Sequence, residues 1–147
     1  MAQVIWSRAV KRQKVVYRQL GSKAKEAFNA AKLAGVMGRY GYELTPIRND
    51  DEGADFIAYR AGEPALLIQL KGRPDIRKIY QGKGLHMAFP TKDSGSGDMY
   101  LVEHDHLVKI FAEHSAAEET RSWKQKGLYN TTANWVYQHL ERYRLCA

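Results

Sequence analysis

Gly53-Ala54-Asp55-Phe56-Ile57-Ala58-Tyr59-Arg60 and Leu66-Leu67-Ile68-Gln69-Leu70-Lys71-Gly72 are the two stretches that decide how this chain is read. Both have the short, apolar character of strands, and Arg60-Ala61-Gly62-Glu63 between them is a natural hairpin turn. Side chains alternate along a strand, so Gln69 and Lys71 project to one face while Leu66, Ile68 and Leu70 project to the other. An amide and an ammonium closing an apolar strand make poor core filler. The partner strand begins at Asp55, whose carboxylate can reach the same spot. Phosphodiester hydrolysis uses such a set: a hard cation takes oxygen ligands and offsets charge on the phosphate. An ammonium group can position or activate the attacking water.

Outward from this hairpin, residues 22–39 form a helix, with Ser22 as its cap and Gly41 at its end. Ala24, Ala27, Ala31, Ala34 and Gly38, joined by Phe28, make a small-residue stripe suited to close approach to a sheet. Lys25, Asn29, Lys32 and Arg39 make the opposite stripe, which should stay wet. Strands are expected at 42–47, bent by Pro46, at 54–59 and at 64–70. A helix weakened by Gly82 and Gly84 follows over 75–89, then a strand at 99–102 and a helix at 105–112. A last helix spans 133–145, capped by Thr131 or Thr132. The order is α-β-β-β-α-β-α-α. One domain covers 1–147, with 1–20 a basic arm or further helix and 115–147 a helical extension. The Asp93-Ser94-Gly95-Ser96-Gly97-Asp98 stretch reads as a surface loop.

The chain has 147 residues, 44% hydrophobic and 27% charged, the composition of one globular domain. No apolar run approaches the ~20 residues of a membrane span, and the positive charges near the start follow the apolar stretch, the reverse of a secretory signal. The expected compartment is the cytoplasm, with no membrane partner. A single cysteine, Cys146, excludes a disulfide framework and a cysteine-based zinc site. The net charge is +7, and it is segregated: residues 1–40 carry nine basic groups and one acid, Glu26. Such a surface suits a polyanion, nucleic acid or acidic membrane, and a solvated helix face fits the charge as well.

The Gly21-Ser22-x-x-x-Glu26 helix start, Ala54-Asp55-Phe56-Ile57-Ala58 and Leu67-Ile68-Gln69-Leu70-Lys71, in this element order, resemble the PD-(D/E)xK nuclease superfamily, most closely the archaeal-type Holliday-junction resolvases. The resemblance covers roughly residues 21–110. It implies an α/β restriction-endonuclease-like core, an α-β-β-β-α-β mixed sheet flanked by helices, with extra C-terminal helices here. It implies Asp55 as metal ligand, Gln69 in the slot of the second acid, Lys71 as catalytic lysine and Glu26 as accessory acid, with the Leu70 carbonyl as a further ligand. The implied cofactor is Mg2+ or Mn2+, the partner DNA, and the assembly a homodimer, since two strands are cut. Gln69 departs from the pattern: it offers a dipole where the family has a carboxylate, so metal affinity should fall unless Glu26, or a nearby acid such as Asp50, Asp51 or Glu52, compensates. The function implied is a metal-dependent endonuclease on double-stranded or branched DNA. A nuclease-fold module that binds DNA without cutting it is the alternative, and an RNA-directed nuclease fits charge and motif too.

Arg73, Arg77 and Lys78 follow the motif and, with Lys11, Arg12, Lys14, Lys25 and Lys32, are the candidate DNA contacts. His104-Asp105-His106 has the alternation of a metal pair, but Asp105 as cap of the following helix is the reading preferred here. Trp6, Trp123, Trp135 and the nine tyrosines could stack on bases, but most are expected in the core or at interfaces. Replacing Lys11, Arg12 and Lys14 by alanine should weaken DNA binding and flatten its salt dependence, by about one unit of log–log slope for each phosphate no longer neutralised. A salt titration of binding checks this; unchanged affinity and slope would mean the cluster faces solvent.

Overall fold

The computed structural model describes residues 13–48, 52–93 and 96–147. Trp6, Lys11, Arg12, Asp50, Asp51 and the middle of the 93–98 loop lie outside the described residues, as does most of the expected basic arm. The part of that arm described ends in a 3-10 turn, Tyr17–Gln19.

Helix α1 runs Ser22–Arg39. Gly21 is its N-cap, with no side-chain hydrogen bond, so Ser22 is the first helical residue and not the cap. Gly41, at φ 81°, takes the left-handed turn that follows the C-terminus. The buried face of α1 is opposite to the expected one. Asn29, Leu33, Val36 and Met37 are buried, whereas Ala24, Ala27, Ala31, Ala34 and Gly38 are exposed. Both stripes have helical spacing, and apolar area decides between them. Burying a Leu, Val or Met side chain is worth about 1.5–3 kcal/mol, far more than a methyl group. Lys25 and Lys32 border the buried stripe and are half-buried, their ammonium groups lying over the Tyr17 and Phe28 rings.

Strands β1 (Glu43–Pro46), β2 (Phe56–Tyr59) and β3 (Leu66–Leu70) form an antiparallel meander. The helix expected over 75–89 is absent. A short strand β4 (Asp75–Arg77), a 3-10 turn (Lys78–Tyr80) and strand β5 (Leu85–Pro90) stand there instead. Gly82 and Gly84 adopt φ of 71° and 69°, which ends any helix, and β5, lying mid-sheet, is apolar on both faces except at His86. A fully buried strand has no alternation to reveal it. Strand β6 (Met99–Glu103) and helix α2 (His104–His114) follow as expected. The N-cap of α2 is Glu103, so Asp105 is not its cap; its carboxylate accepts the Gly82 N–H instead, 3.0 Å.

The extension after 115 is only partly helical. It holds a 3-10 turn, a π-helical turn (Ser122–Lys126), strand β7 (Leu128–Asn130), helix α3 (Asn134–Leu140) and strand β8 (Arg144–Leu145). Ala133 is the N-cap of α3, with no side-chain cap; Thr131 accepts the Ala133 N–H, 3.1 Å. The main sheet is ordered β1-β2-β3-β5-β6-β8, and β4 pairs with β7 in a small second sheet. Only β3–β5 is a parallel pair in the main sheet. Leu33, Val36 and Met37 of α1 pack with Ala58, Ile68, Ala88 and Met99 on one face. On the other, Leu107, Ile110, Phe111, Val136 and Leu140 of α2 and α3 pack with Met87, Phe89 and Val102. The fold is therefore α/β, a mixed six-stranded sheet with helices on both faces. Among the described residues no helix is long and apolar enough to cross a membrane.

The orientation of α1 is open to test. Leu33→Ala should cost about 2–5 kcal/mol, while Ala31→Lys should stay within about 0.5 kcal/mol of the parent, both by chemical denaturation. The reverse ranking would return the alanine stripe to the core.

Candidate functional site

Glu26, Asn29, Asp55, Gln69 and Lys71 line one open cavity of about 560 Å³, together with Phe56, Leu70 and Gly72. It sits where β2 begins and β3 ends, beneath the first turns of α1. The chain enters through Gly53, at φ 90°. A Cβ there would lie 2.5 Å from Cε1 of the Tyr80 ring, so glycine is required both by conformation and by space.

Asp55 is pinned by main chain and side chain together. Its N–H donates to the Ile68 carbonyl and its own carbonyl accepts from the Ile47 N–H, each at 2.8 Å. Its Oδ2 accepts the Leu70 N–H, also at 2.8 Å. The carboxylate thus takes the place in the ladder that a further β2 residue would fill. Oδ1 has no hydrogen-bond partner among the described residues. On the opposite edge of β3 the Lys71 N–H donates to the Ala88 carbonyl, 2.8 Å, so the lysine is held by the parallel pairing.

The electrostatics of the cavity follow from burial. Asp55 is half-buried, and desolvation raises its pKa above the usual carboxylate range; the Leu70 N–H and the Lys71 charge oppose the rise, and Glu26 adds to it. Burial lowers the Lys71 pKa, and the Arg77 charge adds to the drop, while Asp75 and Asp55 oppose it. Gln69 is 8% exposed, yet its amide makes no hydrogen bond to a described residue. Glu26 and the Lys71 ammonium likewise have no ion-pair partner among the described residues.

Two carboxylates and an amide oxygen are hard donors, and the field that disfavours a charged Asp55 is one that a divalent cation relieves. Asp55 and Glu26, with Gln69 as a neutral third donor, are the residues of this cavity that could hold a divalent cation. Among the described residues there is no group of three or more His, Cys, Asp or Glu able to hold a metal, in keeping with the amide at 69.

The remaining candidates are dispersed. Lys25 lies over the Tyr17 ring at 5.6 Å, and Lys32 lines a neighbouring cavity. Arg77 binds Asp75, 2.9 Å, and lies over Tyr80. Lys78 packs on Trp123 and against Gly127, neither of which lines the cavity. Lys14 and Arg73 are exposed. His104 is buried; its Nε2 accepts the Arg77 N–H, 3.0 Å, so Nδ1 carries the proton and faces Asp105 at 3.2 Å. That is a structural role and not a metal pair. Sequence reasoning missed Asn29 as a cavity residue, although its place one turn after Glu26 is a usable signal. It also missed buried Asp75, which had no local signal, because its position depends on pairing with Asn130.

The raised Asp55 pKa has a consequence for stability. The native state holds the Asp55 proton more tightly than the unfolded chain, so ionisation above the usual carboxylate range destabilises the fold. Asp55→Asn keeps an acceptor for Leu70 and removes that charge. Its melting temperature should exceed the parent's at pH 7 without metal, and the difference should vanish as the pH falls below about 4. A variant less stable at pH 7 would mark Asp55 as a structural residue. No known protein family, curated protein or solved structure matches the chain.

Proposed function

We propose that the chain is a divalent-metal-dependent endonuclease of the PD-(D/E)xK type, acting on double-stranded or branched DNA. The supporting observation is the meeting of Glu26, Asp55, Gln69 and Lys71 in one cavity, with Asp55 clamped by the Leu70 N–H and the other three polar heads unpartnered among the described residues. In this reading Asp55 and Glu26 hold Mg2+, Gln69 completes the donor set, and the Leu70 carbonyl is a further candidate ligand. When bound, the metal supplies positive charge beside the scissile phosphate. Lys71 orients the attacking water, and its burial-lowered pKa leaves more of it as neutral amine, the form able to accept a proton, than an exposed lysine would have. Arg73, Arg77 and Lys78 follow as candidate phosphate contacts, and a homodimer would bring two such cavities to two strands.

A second reading is favoured by Gln69 itself. With an amide in place of a carboxylate the site has one negative charge fewer, and a nuclease fold retained for DNA binding alone would tolerate this. Cleavage of plasmid and junction DNA with magnesium or manganese separates the two. Asp55→Ala and Lys71→Ala should each lower cleavage by about 10²–10⁴-fold while DNA binding persists. Gln69→Glu should shift the magnesium requirement to lower concentration. Absence of cleavage in the parent and in Gln69→Glu, with binding retained, establishes the binding module.

A further inference from the structure

Beside the acidic cavity lies a second one of about 290 Å³, and the two share Asn29 and Gly72 in their linings. Their chemistry is opposite. The first holds Glu26 and Asp55, whereas no acid lines the second. Its lining is aromatic and cationic: Tyr17, Phe28 and Tyr137, with Lys32 and Lys92.

The rings and ammonium groups are already paired with one another. Lys32 Nζ lies 5.6 Å from the Phe28 ring centre and Lys92 Nζ 5.2 Å from that of Tyr137. Tyr17 and Phe28 meet at 5.4 Å between centroids, tilted by 50°. Phe28 is nevertheless 44% exposed, although a large aromatic ring is normally covered. Asn29, only 5% exposed, stands between the two cavities. Its Nδ2 donates to the Tyr17 hydroxyl at 3.0 Å, and its buried Oδ1 has no hydrogen-bond partner among the described residues. Gly72 provides the path between them. It directly follows Lys71, is exposed, and a Cβ built there would meet nothing within 4 Å.

We infer that this second cavity is a subsite for an unpaired nucleobase of the DNA strand whose phosphate sits at Asp55 and Lys71. The inference rests on the nuclease reading above and deepens it by naming the substrate class. Aromatic faces stack on any base, and ammonium groups beside them meet the flanking phosphates. A base inside a duplex is already stacked on both faces, so only an unpaired or extruded one can enter. The preferred substrate is therefore DNA with single-stranded nucleotides next to the cleaved bond, such as a branch point, a gap or a frayed end. Uniform duplex lacks the group that this cavity takes.

The test uses the full chain with Asp55→Asn, so that binding is read without cleavage. Gapped DNA carries the fluorescent base 2-aminopurine at successive unpaired positions. The expected result is a several-fold change in emission at one or two adjacent positions only. Adding Phe28→Ala should remove that change and weaken binding about ten-fold, the size of one base–aromatic stack. Lys92→Ala, at an exposed position, should lower the salt dependence of binding while retaining the emission change. No emission change at any position, or a full change retained in Phe28→Ala, overturns the subsite. Cleavage by the unmodified protein is scored separately, so the nuclease reading can fail while the subsite stands, or stand while the subsite fails.

Discussion

The parallel pairing of β3 with β5 is the seam on which this structure depends. It joins two antiparallel halves, β1-β2-β3 and β5-β6-β8, into one sheet. Both core clusters are built across it, Ile68 with Ala88 on the α1 side and Leu67 with Met87 on the other. A parallel pair requires a crossover, and residues 71–84 supply it. That crossover begins at Lys71, whose N–H is the last donor to the β5 carbonyls. The topology thus puts an exposed chain reversal beside the strand end where Asp55 and Gln69 stand. In open α/β sheets, ligand sites form outside strand ends for the same reason: loops leave there, and backbone polar groups remain free to meet a ligand.

The site inherits its character from that position. It is buried enough to shift the Asp55 and Lys71 pKa values toward their neutral forms, yet open enough for the Glu26 carboxylate, the Lys71 ammonium and the Gln69 amide to go without partners among the described residues. Opposite charges at such proximity usually close into an ion pair. Here the Asp55 carboxylate is held by Leu70, and the Lys71 backbone is held by Ala88 from the other edge of β3. The two heads form no ion pair with each other, and each residue is anchored from its own side of β3.

The second cavity extends the same logic along α1. Glu26 and Asn29 are one turn apart, and Lys32 is one turn further, so successive turns of one helix pass from acid to amide to cation. That gradient exists only because α1 turns its Asn29–Leu33–Val36 side to the sheet. With the alanine stripe buried, Glu26 and Lys32 would be carried away from β3, and the two cavities would have no common wall.

Local sequence was enough for the hairpin β2–β3, for strand β6 and helix α2, and for bringing Asp55, Gln69 and Lys71 to one strand end; Glu26 was placed beside them only by the family resemblance. Apart from Glu26, each rests on short-range pattern: alternation on an exposed-face strand, a turn glycine, a helix that ends where the next strand must begin. Tertiary structure alone decided the rest. The segment 75–89 became two strands because β4 finds β7 and β5 finds β3 and β6, partners that no local pattern names. Strand β8 exists only because the sheet had an unpaired edge at β6 for the last residues to join. The face of α1 was settled by summed apolar area against the sheet, a quantity that spacing does not contain when two stripes share one period. Asp75 and Asn29 are buried by what distant chain lays over them, the β4–β7 pairing for Asp75 and the packing of α1 on the sheet for Asn29, and that distance is invisible to a reading of neighbours.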